Sequence, residues 1–577
     1  MQRPAGLRLN QWHVAPVVPA AIRQELPTLP PVLLQLLYNR GLTRPGEIQA
    51  FLDGRYLLST DPFLLPDMDK AVARIEQAIR NEERVIVYGD FDADGVTSTV
   101  LLTEALRGFG LSREQAQPYI PDRIDEGYGL NEEALTKLKE EKGADLVISV
   151  DCGIRSVREV AHACAIGLDM IVTDHHTIGP ELPPAIAVVN PKRPDSAYPD
   201  AMLAGVGIAY KVAQALYQTM PQRAHFELES LLDLVAIGTV ADLAPLLKEN
   251  RQLVIEGLKV LNTARRPGVA ALAKVARVSA GNMTAETIGF GLGPRINAAG
   301  RLRHAYMAAK LLTTQSQAVA DQLARDLDEV NRERQSLTSS LTAKAEEMVD
   351  AEALIQIAAG KDFAPGVVGL VASRLAEKNY RPAIVFEQGE AESRASCRSI
   401  PEFHITEALD ETADLLVRYG GHAQAAGLTI RNENMEAFIA QMTTIAEAQL
   451  GELALQPKIS VDAEIDLEAV DWALYENLAQ LEPTGYANAT PVFVSRGVKA
   501  LFPRAVGQNG AHLQLRLASP YNESHDNLGA IAFRQGEWAN CLPEYVDVVY
   551  TIGVNEWRGR RDLQLMVQDL RPAARVI

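Results

Sequence analysis

Asp90, Asp92 and Asp94 fall within the segment VIVYGDFDADGVTST, one residue apart from each other. Like charges at that spacing repel unless protons or cations hold them, so the segment reads as a cation site. Other readings are open on this stretch alone. It can be a solvated loop with one carboxylate capping the next helix, since helix starts favour Asp. A phosphatase with an aspartate nucleophile would write D-x-D-G-T here, and DADGVT differs from that by one residue. An EF-hand loop also opens D-x-D-x-D-G, but its twelfth position needs a carboxylate and this chain has Leu101. The flanks also disagree with a calcium loop. Val85, Ile86 and Val87 form a β-branched run and Val96 onward has helical spacing, which predicts strand, turn, helix.

Further ligand types recur in the same context. Asp151 ends VISVD, Asp174, His175 and His176 end IVTDHH, and Asp242 follows VAIGTVA. Singly each has a plain explanation: Asp151 and Asp242 as helix caps, the histidine pair as an ordinary loop. Jointly the plain explanations require a coincidence at every segment of one sheet edge. Carboxylates shared between two ions, with imidazole completing the set, suit Mg²⁺ or Mn²⁺ better than zinc, whose closed sites prefer thiolate and more imidazole. Paired ions of this kind serve phosphoester or phosphoanhydride hydrolysis.

The elements that must position these residues follow from pattern. From Val85 strand and helix alternate through VIVYGD, QPYIPDR, ADLVISVDCG, DMIVTDHH and AIAVVNP, which predicts an α/β lobe around a doubly wound parallel sheet. Ligands of such sheets sit beyond the carboxyl ends of strands, where strand order reverses. Thr314 to Asp350 carries one apolar stripe and would make a helix of ~50 Å, long enough to join two lobes or to pack along the first. A second α/β unit begins at ALIQIAAG, and short alternating segments from Lys458 onward predict a small β-barrel of the OB type. The first 70 residues read as a helical lead-in with no chemistry of their own.

Composition sets outer bounds. At 577 residues and 47% hydrophobic content the chain can bury several cores, as three or four domains. No apolar run approaches the ~20 residues of a membrane helix, and the start has no signal-peptide core, so the cytoplasm is the expected compartment. Cys152, Cys164, Cys397 and Cys541 show no C-x-x-C spacing, which fits a reducing environment. A net charge of −18 ordinarily argues against a polyanionic partner. The Debye length of ~8 Å at physiological salt weakens that argument, because an arginine-lined groove can attract phosphate while distant acids are screened.

DADG, VDCG, DHH and VADLAPL in this order resemble the DHH phosphoesterase superfamily. From Val85 to the C-terminus, PDRIDEGYGL, LAGVGIAYK, GLGPRINAAGRL, PGVVGLVASRL, SRASCRS and GGHAQAAG make the chain similar to that superfamily's single-strand-specific 5′ exonucleases, the last three as in the DHH-associated domain. The aspartate-nucleophile phosphatase is thereby removed, since it would need a lysine and a further acidic motif instead of D-H-H. The resemblance implies a lead-in over 1–70, a DHH domain over 71–265, a connecting region with the long helix over 266–350, a DHH-associated domain over 351–452 and an OB-fold over 453–577. Two α/β lobes joined by the helix, with the barrel closing a channel too narrow for duplex, would form a ring.

The resemblance also implies roles. Asp92 would bind a first ion, Asp94, His175 and Asp242 a second, Asp151 both, and His176 would face the scissile phosphate. Asp92, Asp151 and His176 are thus the expected catalytic set. Relatives carry histidine four residues before Asp92. This chain has Tyr88, a poor ligand, so the first ion would bind more weakly, use Asp90, or arrive with the substrate. Arg123 and Tyr128 match contacts to the strand's 5′ end, Ser396 and Arg398 a pocket for its 5′ phosphate, and Gly421 with His422 a backbone cradle near a phosphate. Arg295, Asn297 and Arg301 would hold the strand's backbone. In the barrel, Trp557 with Arg558, Arg560 and Arg561, and Phe533, Arg534 and Trp538, form the aromatic and basic mixture that grips unpaired bases, though Phe533 and Trp538 also fit a core. LEPTGYANATPVF departs from the family's LEPFGxGNPxPxF. Single-stranded DNA is the implied substrate, Mg²⁺ or Mn²⁺ the implied cofactor, and single-strand-binding protein and a RecQ-type helicase the implied partners of a monomer acting in recombination and mismatch repair; the alternative within the superfamily is a hydrolase of short oligonucleotides or cyclic dinucleotides.

Overall fold

The computed structural model describes residues 10–56, 60–122, 126–127, 129–520, 527–557 and 559–573. They fall into two compact units, one from residue 58 to 455 and one that combines the residues before 58 with those from 456 onward. The second unit explains the lead-in. Gln11–Val14 (β1), expected to belong to a helical segment, is a strand. Its partner lies far along the chain, so no local pattern reveals it.

In the larger unit the strands are Val85–Tyr88 (β2), Ala116–Tyr119 (β3), Leu146–Val150 (β4), Asp169–Thr173 (β5) and Ala187–Val189 (β6). They form a parallel sheet in the order β3-β2-β4-β5-β6. Side chains of β2 alternate between two cores. Val85 and Val87 join the cluster of the Ala93–Gly108 and Gly205–Thr219 helices, while Ile86 and Tyr88 join Leu135, Val147 and Met170 on the other face. Burial on both faces is why β2, β4 and β6 read as nearly continuous apolar runs. Order reverses between β2 and β4, so the turn carrying Asp90 to Asp94 and the turn carrying Asp151 leave neighbouring strands at the switch point.

Helices cover the rest of this lobe until Gln317–Met348, whose 32 residues span roughly 48 Å. That helix packs on the Pro267–Val275, Gly293–Leu302 and Tyr306–Thr313 helices, and then on the Val368–Asn379 helix and on Gln356–Gly360 (β7). It therefore runs along the first lobe and reaches the second. The second lobe adds Ala383–Gln388 (β8), Glu392–Arg398 (β9), Leu416–His422 (β10) and Ala425–Arg431 (β11) in the order β10-β11-β9-β8-β7.

The smaller unit is a barrel. Lys458–Val461 (β12) pairs with β1, and Ala463–Glu464 (β13) pairs with Phe493–Val506 (β14). With His512–Ala518 (β15), Leu528–Ala532 (β16), Tyr545–Trp557 (β17) and Arg560–Pro572 (β18), the strands run β14-β15-β16-β18-β17 and close through β14–β17. Closure removes the edges that would otherwise template aggregation. The Pro31–Asn39 helix packs on β13 and on the Trp472–Ala479 helix. Trp538 is fully buried core and is not a base-stacking platform, whereas Phe533 is exposed.

Candidate metal centre

Asp92 and Asp94 are held where backbone amides at helix starts support them. Asp92 has extended backbone and caps the Ala93–Gly108 helix, its Oδ1 accepting the Asp94 and Gly95 N–H groups at 3.0 Å each. Asp94 is buried and accepts the N–H groups of Gly205 at 2.7 Å and Val206 at 2.8 Å, at the start of the Gly205–Thr219 helix. Two adjacent carboxylates thus sit on two helix N-termini, whose partial positive charge offsets part of their repulsion. Gly205 is required by space. A Cβ there would come within 2.7 Å of the Asp151 Cβ and 2.8 Å of its Oδ1.

Asp151 follows β4 with φ of 59°, a left-handed conformation that Asp tolerates better than most residues. Asp174 follows β5 and does something different from its neighbours. It accepts the Ile154 N–H at 2.9 Å, the His176 N–H at 3.0 Å and the His176 Nδ1 at 2.7 Å. Burial would raise its pKa, but those hydrogen bonds hold it below the usual value. In return, Asp174 raises the pKa of His176 against the effect of burial. Asp174 is therefore an orienting group that aims His176 and favours its protonated form.

The remaining groups converge. His175 Nε2 lies 3.0 Å from Asp151 Oδ1, 3.8 Å from Asp242 Oδ2 and 3.9 Å from Asp94 Oδ2. Among the described residues neither Nε2 nor Asp151 Oδ1 has a hydrogen-bond partner, although both atoms are buried. A backbone hydrogen bond to Leu203 leaves Nε2 as the lone-pair nitrogen of His175. Burial, then His176, pushes the His175 pKa down to about 3, so the ring is neutral. Burial, then neighbouring carboxylates, pushes Asp94 up to about 7, Asp242 up to about 9, and Asp151 well above its ordinary value. Lone pairs facing one another and carboxylates that resist ionisation are the signature of a missing positive charge.

Ligand atoms fall into sets within 4.8 Å: Asp90, Asp92 and Asp151; Asp94, His175 and Asp242; and Asp151, His175 and His176. Asp151 belongs to both an all-oxygen set and a histidine-containing one. The donor chemistry fits Mg²⁺ or Mn²⁺. Tyr88 is directed elsewhere. Its hydroxyl donates to the Gly129 carbonyl at 3.0 Å, its ring packs 5.0 Å from Tyr119, and burial raises its pKa, so it is a neutral phenol.

The Gly293–Leu302 helix ties this centre to the second lobe. Asn297 Oδ1 accepts the Ala93 N–H at 2.7 Å, Gly300 abuts the Phe91 carbonyl, and Arg301 donates to the Gly366 carbonyl at 3.2 Å. Arg295 pairs with Asp328 at 2.8 Å and donates to the Gly291 carbonyl at 2.7 Å. Each of the three residues expected to grip a strand has a partner inside the protein. Beyond Gly366, the Val368–Asn379 helix begins with no side-chain cap and no acid in its first turn. Ser396 and Arg398 from β9 meet it at Gly369, where a Cβ would stand 3.2 Å from Arg398 Nη2 and 3.5 Å from Ser396 Oγ. A guanidinium, a hydroxyl and an uncapped helix start are thereby brought together, and each is a group whose chemistry suits an anion. Gly421 and His422 lie exposed at the β10–β11 hairpin.

Arg123, Tyr128, Arg558 and the Trp557 side chain lie outside the described residues. Arg560 and Arg561 are exposed on β18 and pair with Asp562 and Glu556. Two supports were missed by sequence reasoning. Asn190, in the VVNP segment after β6, donates to the His176 carbonyl at 3.0 Å, and the Leu203 backbone fixes His175. Each acts through one hydrogen bond, and only an Asn directly after a strand could have hinted at the first.

Comparison with known proteins follows these boundaries. The model of the DHH family, N-terminal domain, matches residues 84–239, the DHHA1 domain residues 350–448 and the RecJ OB domain residues 461–569. The single-stranded-DNA-specific exonuclease RecJ of Bacillus subtilis is 38% identical over 546 residues, covering 93% of this chain and 68% of that protein. The RecJ of Dickeya dadantii is 35% identical over 577 residues, covering 95% and 97%. A crystal structure of RecJ in complex with Mn²⁺ from Thermus thermophilus superposes with a TM-score of 0.84 at 30% identity, over 98% of this chain and 80% of that one. Similarity that runs through both lobes and the barrel, and includes the strand ends that build the metal centre, shows that the chain belongs to the RecJ family.

Proposed function

We propose that the protein is a metal-dependent exonuclease that degrades single-stranded DNA from the 5′ end to 5′-mononucleotides, in recombination and mismatch repair. The observation that supports this most is the sharing of Asp151 between an all-carboxylate set and a histidine-containing set of ligand atoms. Asp90, Asp92 and Asp151 would hold one ion, and Asp94, His175, Asp242 and Asp151 the other. Two bound ions would supply Lewis acidity at the scissile phosphate and a nucleophile at neutral pH.

The chain's own residues do the rest. Ser396 and Arg398 receive the 5′ phosphate at the start of the Val368–Asn379 helix, which sets polarity by placing the first phosphodiester at the centre. Arg123 and Tyr128 would contact the terminal nucleotide, and Gly421 and His422 the phosphates behind it. His176, kept protonated by Asp174, faces the scissile group and gives its Nε2 proton to the leaving 3′ oxygen. Water adds to phosphorus, losing its proton to solvent, as the bond to that oxygen breaks, so the shortened strand again ends in a 5′ phosphate that the same pocket accepts. Arg295, Asn297 and Arg301 act first by fixing the Asp90–Asp94 turn relative to that pocket, and any contact to DNA comes second. The barrel would bind unpaired strand. Single-strand-binding protein and a RecQ-type helicase would supply the substrate, to a monomer in the cytoplasm.

Replacing Asp151 with Ala removes the shared ligand. Metal-dependent release of nucleotides from single strands should fall at least about 100-fold while strand binding persists. Hydrolysis retained in Asp151→Ala would rule out the shared-carboxylate centre.

A further inference from the structure

Two helices that deliver carboxylates to the metal centre form, at their opposite ends, the wall of a second cavity. The Ala93–Gly108 helix starts beside Asp92 and Asp94 and ends past Glu104 and Arg107, and the Leu232–Ala241 helix starts beside Asp233 and leads into Asp242. Ten residues of helix place these ends roughly 15 Å apart. The cavity measures about 550 Å³ and is lined by Arg107, Arg113, Arg265 and Arg266, with Glu104 and Asp233 as its acids.

Those acids are already answered. Arg266 donates to Glu104 at 2.8 and 3.1 Å, to Asp233 at 2.9 Å and to the Leu312 carbonyl at 2.8 Å. Arg107 donates to the Ala116 carbonyl at 2.8 and 3.1 Å. Burial, and then the like charge of Arg113, lowers its pKa. Arg113 and Arg265 are exposed at the cavity and pair with no carboxylate among the described residues. Four guanidinia against two carboxylates leave two positive charges around one hollow, in a chain whose net charge is −18. The Pro267–Val275 helix borders the same hollow with no side-chain cap and no acid in its first turn. Leu111, Val260 and Leu261 give it an apolar wall.

A dianionic phosphate, bound bidentately by forked guanidinia, answers the charge, and the volume and apolar wall leave room for a nucleoside. We propose that this cavity binds a nucleoside 5′-monophosphate, its phosphate on Arg113 and Arg265, and that occupancy slows hydrolysis through the two helices that end at the metal centre. The choice of nucleotide rests on the proposed exonuclease activity, which releases this class of product.

The test is equilibrium dialysis of thymidine 5′-monophosphate against the full-length protein with chelator present, in an Arg398→Ala background that removes the strand-end pocket. Adding Arg113→Ala and Arg265→Ala should weaken binding at least about tenfold without changing the melting temperature. Inorganic phosphate and thymidine should each bind at least about tenfold more weakly than the nucleotide. Unchanged binding in the combined variant, or equal affinity for phosphate or thymidine alone, would overturn the proposal. With otherwise unaltered protein, thymidine 5′-monophosphate should slow single-strand hydrolysis, and the Arg113→Ala/Arg265→Ala variant should keep its basal rate but lose this inhibition. Inhibition that persists in that variant would overturn the coupling. Absence of any single-strand hydrolysis would refute the exonuclease reading while leaving the dialysis result to decide the site.

Discussion

Asp94 shows how much of the centre lies in single side chains. A carboxyl whose folded pKa is about 7 binds its proton more tightly than in the unfolded chain, where the value is ~3.9. Metal-free stability from this group is therefore greatest below about pH 4 and is lost as pH rises through about 7, with Asp242 extending the loss toward about 9. A bound cation replaces those protons. The rise in melting temperature on adding Mn²⁺ should consequently grow between pH 5 and 8, roughly, and thermal melts with and without the ion measure it. An increment independent of pH would contradict the assignment. Asp174→Asn removes the charge that keeps His176 protonated, so the pH above which turnover declines should move downward. The acids and histidines themselves were legible because each follows an apolar run. Their division of labour was not, since whether Asp90 or Tyr88 faces the ions depends on a phenol that finds the Gly129 carbonyl 3.0 Å away.

Among the elements, strands β2, β4 and β5 were readable from β-branched runs, and the long helix from its apolar stripe. Strand β1 was not, because QWHV gains its partner only from Lys458–Val461. The role of the Gly293–Leu302 helix was also hidden. Its arginines and asparagine look like phosphate ligands in sequence, yet Asn297 holds the Ala93 N–H and Arg295 holds Asp328. Asn297→Ala should therefore raise the Mn²⁺ concentration needed for half-maximal activity by about tenfold, as loss of a supporting hydrogen bond commonly does. Gly205→Ala should do the same for a steric reason, forcing Asp151 away from a Cβ that would stand 2.7 Å from its own. Titrating Mn²⁺ against hydrolysis separates both from a simple loss of folded protein.

For the whole molecule, the apparent lead-in as far as residue 57 belongs to the barrel's compact unit, and its remainder to the larger one. Leu33, Leu34, Leu36 and Leu37 are buried, and Asn39 and Arg40 bond Asp462 and Asn488. Removing residues 456–577 alone should uncover that apolar helix and cause aggregation, whereas a 58–455 fragment should remain monodisperse with one cooperative melt. Size-exclusion chromatography of the two fragments distinguishes these outcomes. In the intact chain, polarity and metal dependence are read together by a time course on single strands labelled at the 5′ or the 3′ end, with Mn²⁺, Mg²⁺ or chelator. The expected result is immediate release of the 5′ label as mononucleotide, stepwise shortening of 3′-labelled strands, no attack on a blunt duplex and no product with chelator. Early release of the 3′ label, or hydrolysis that survives chelation, would rule out a metal-dependent 5′ exonuclease.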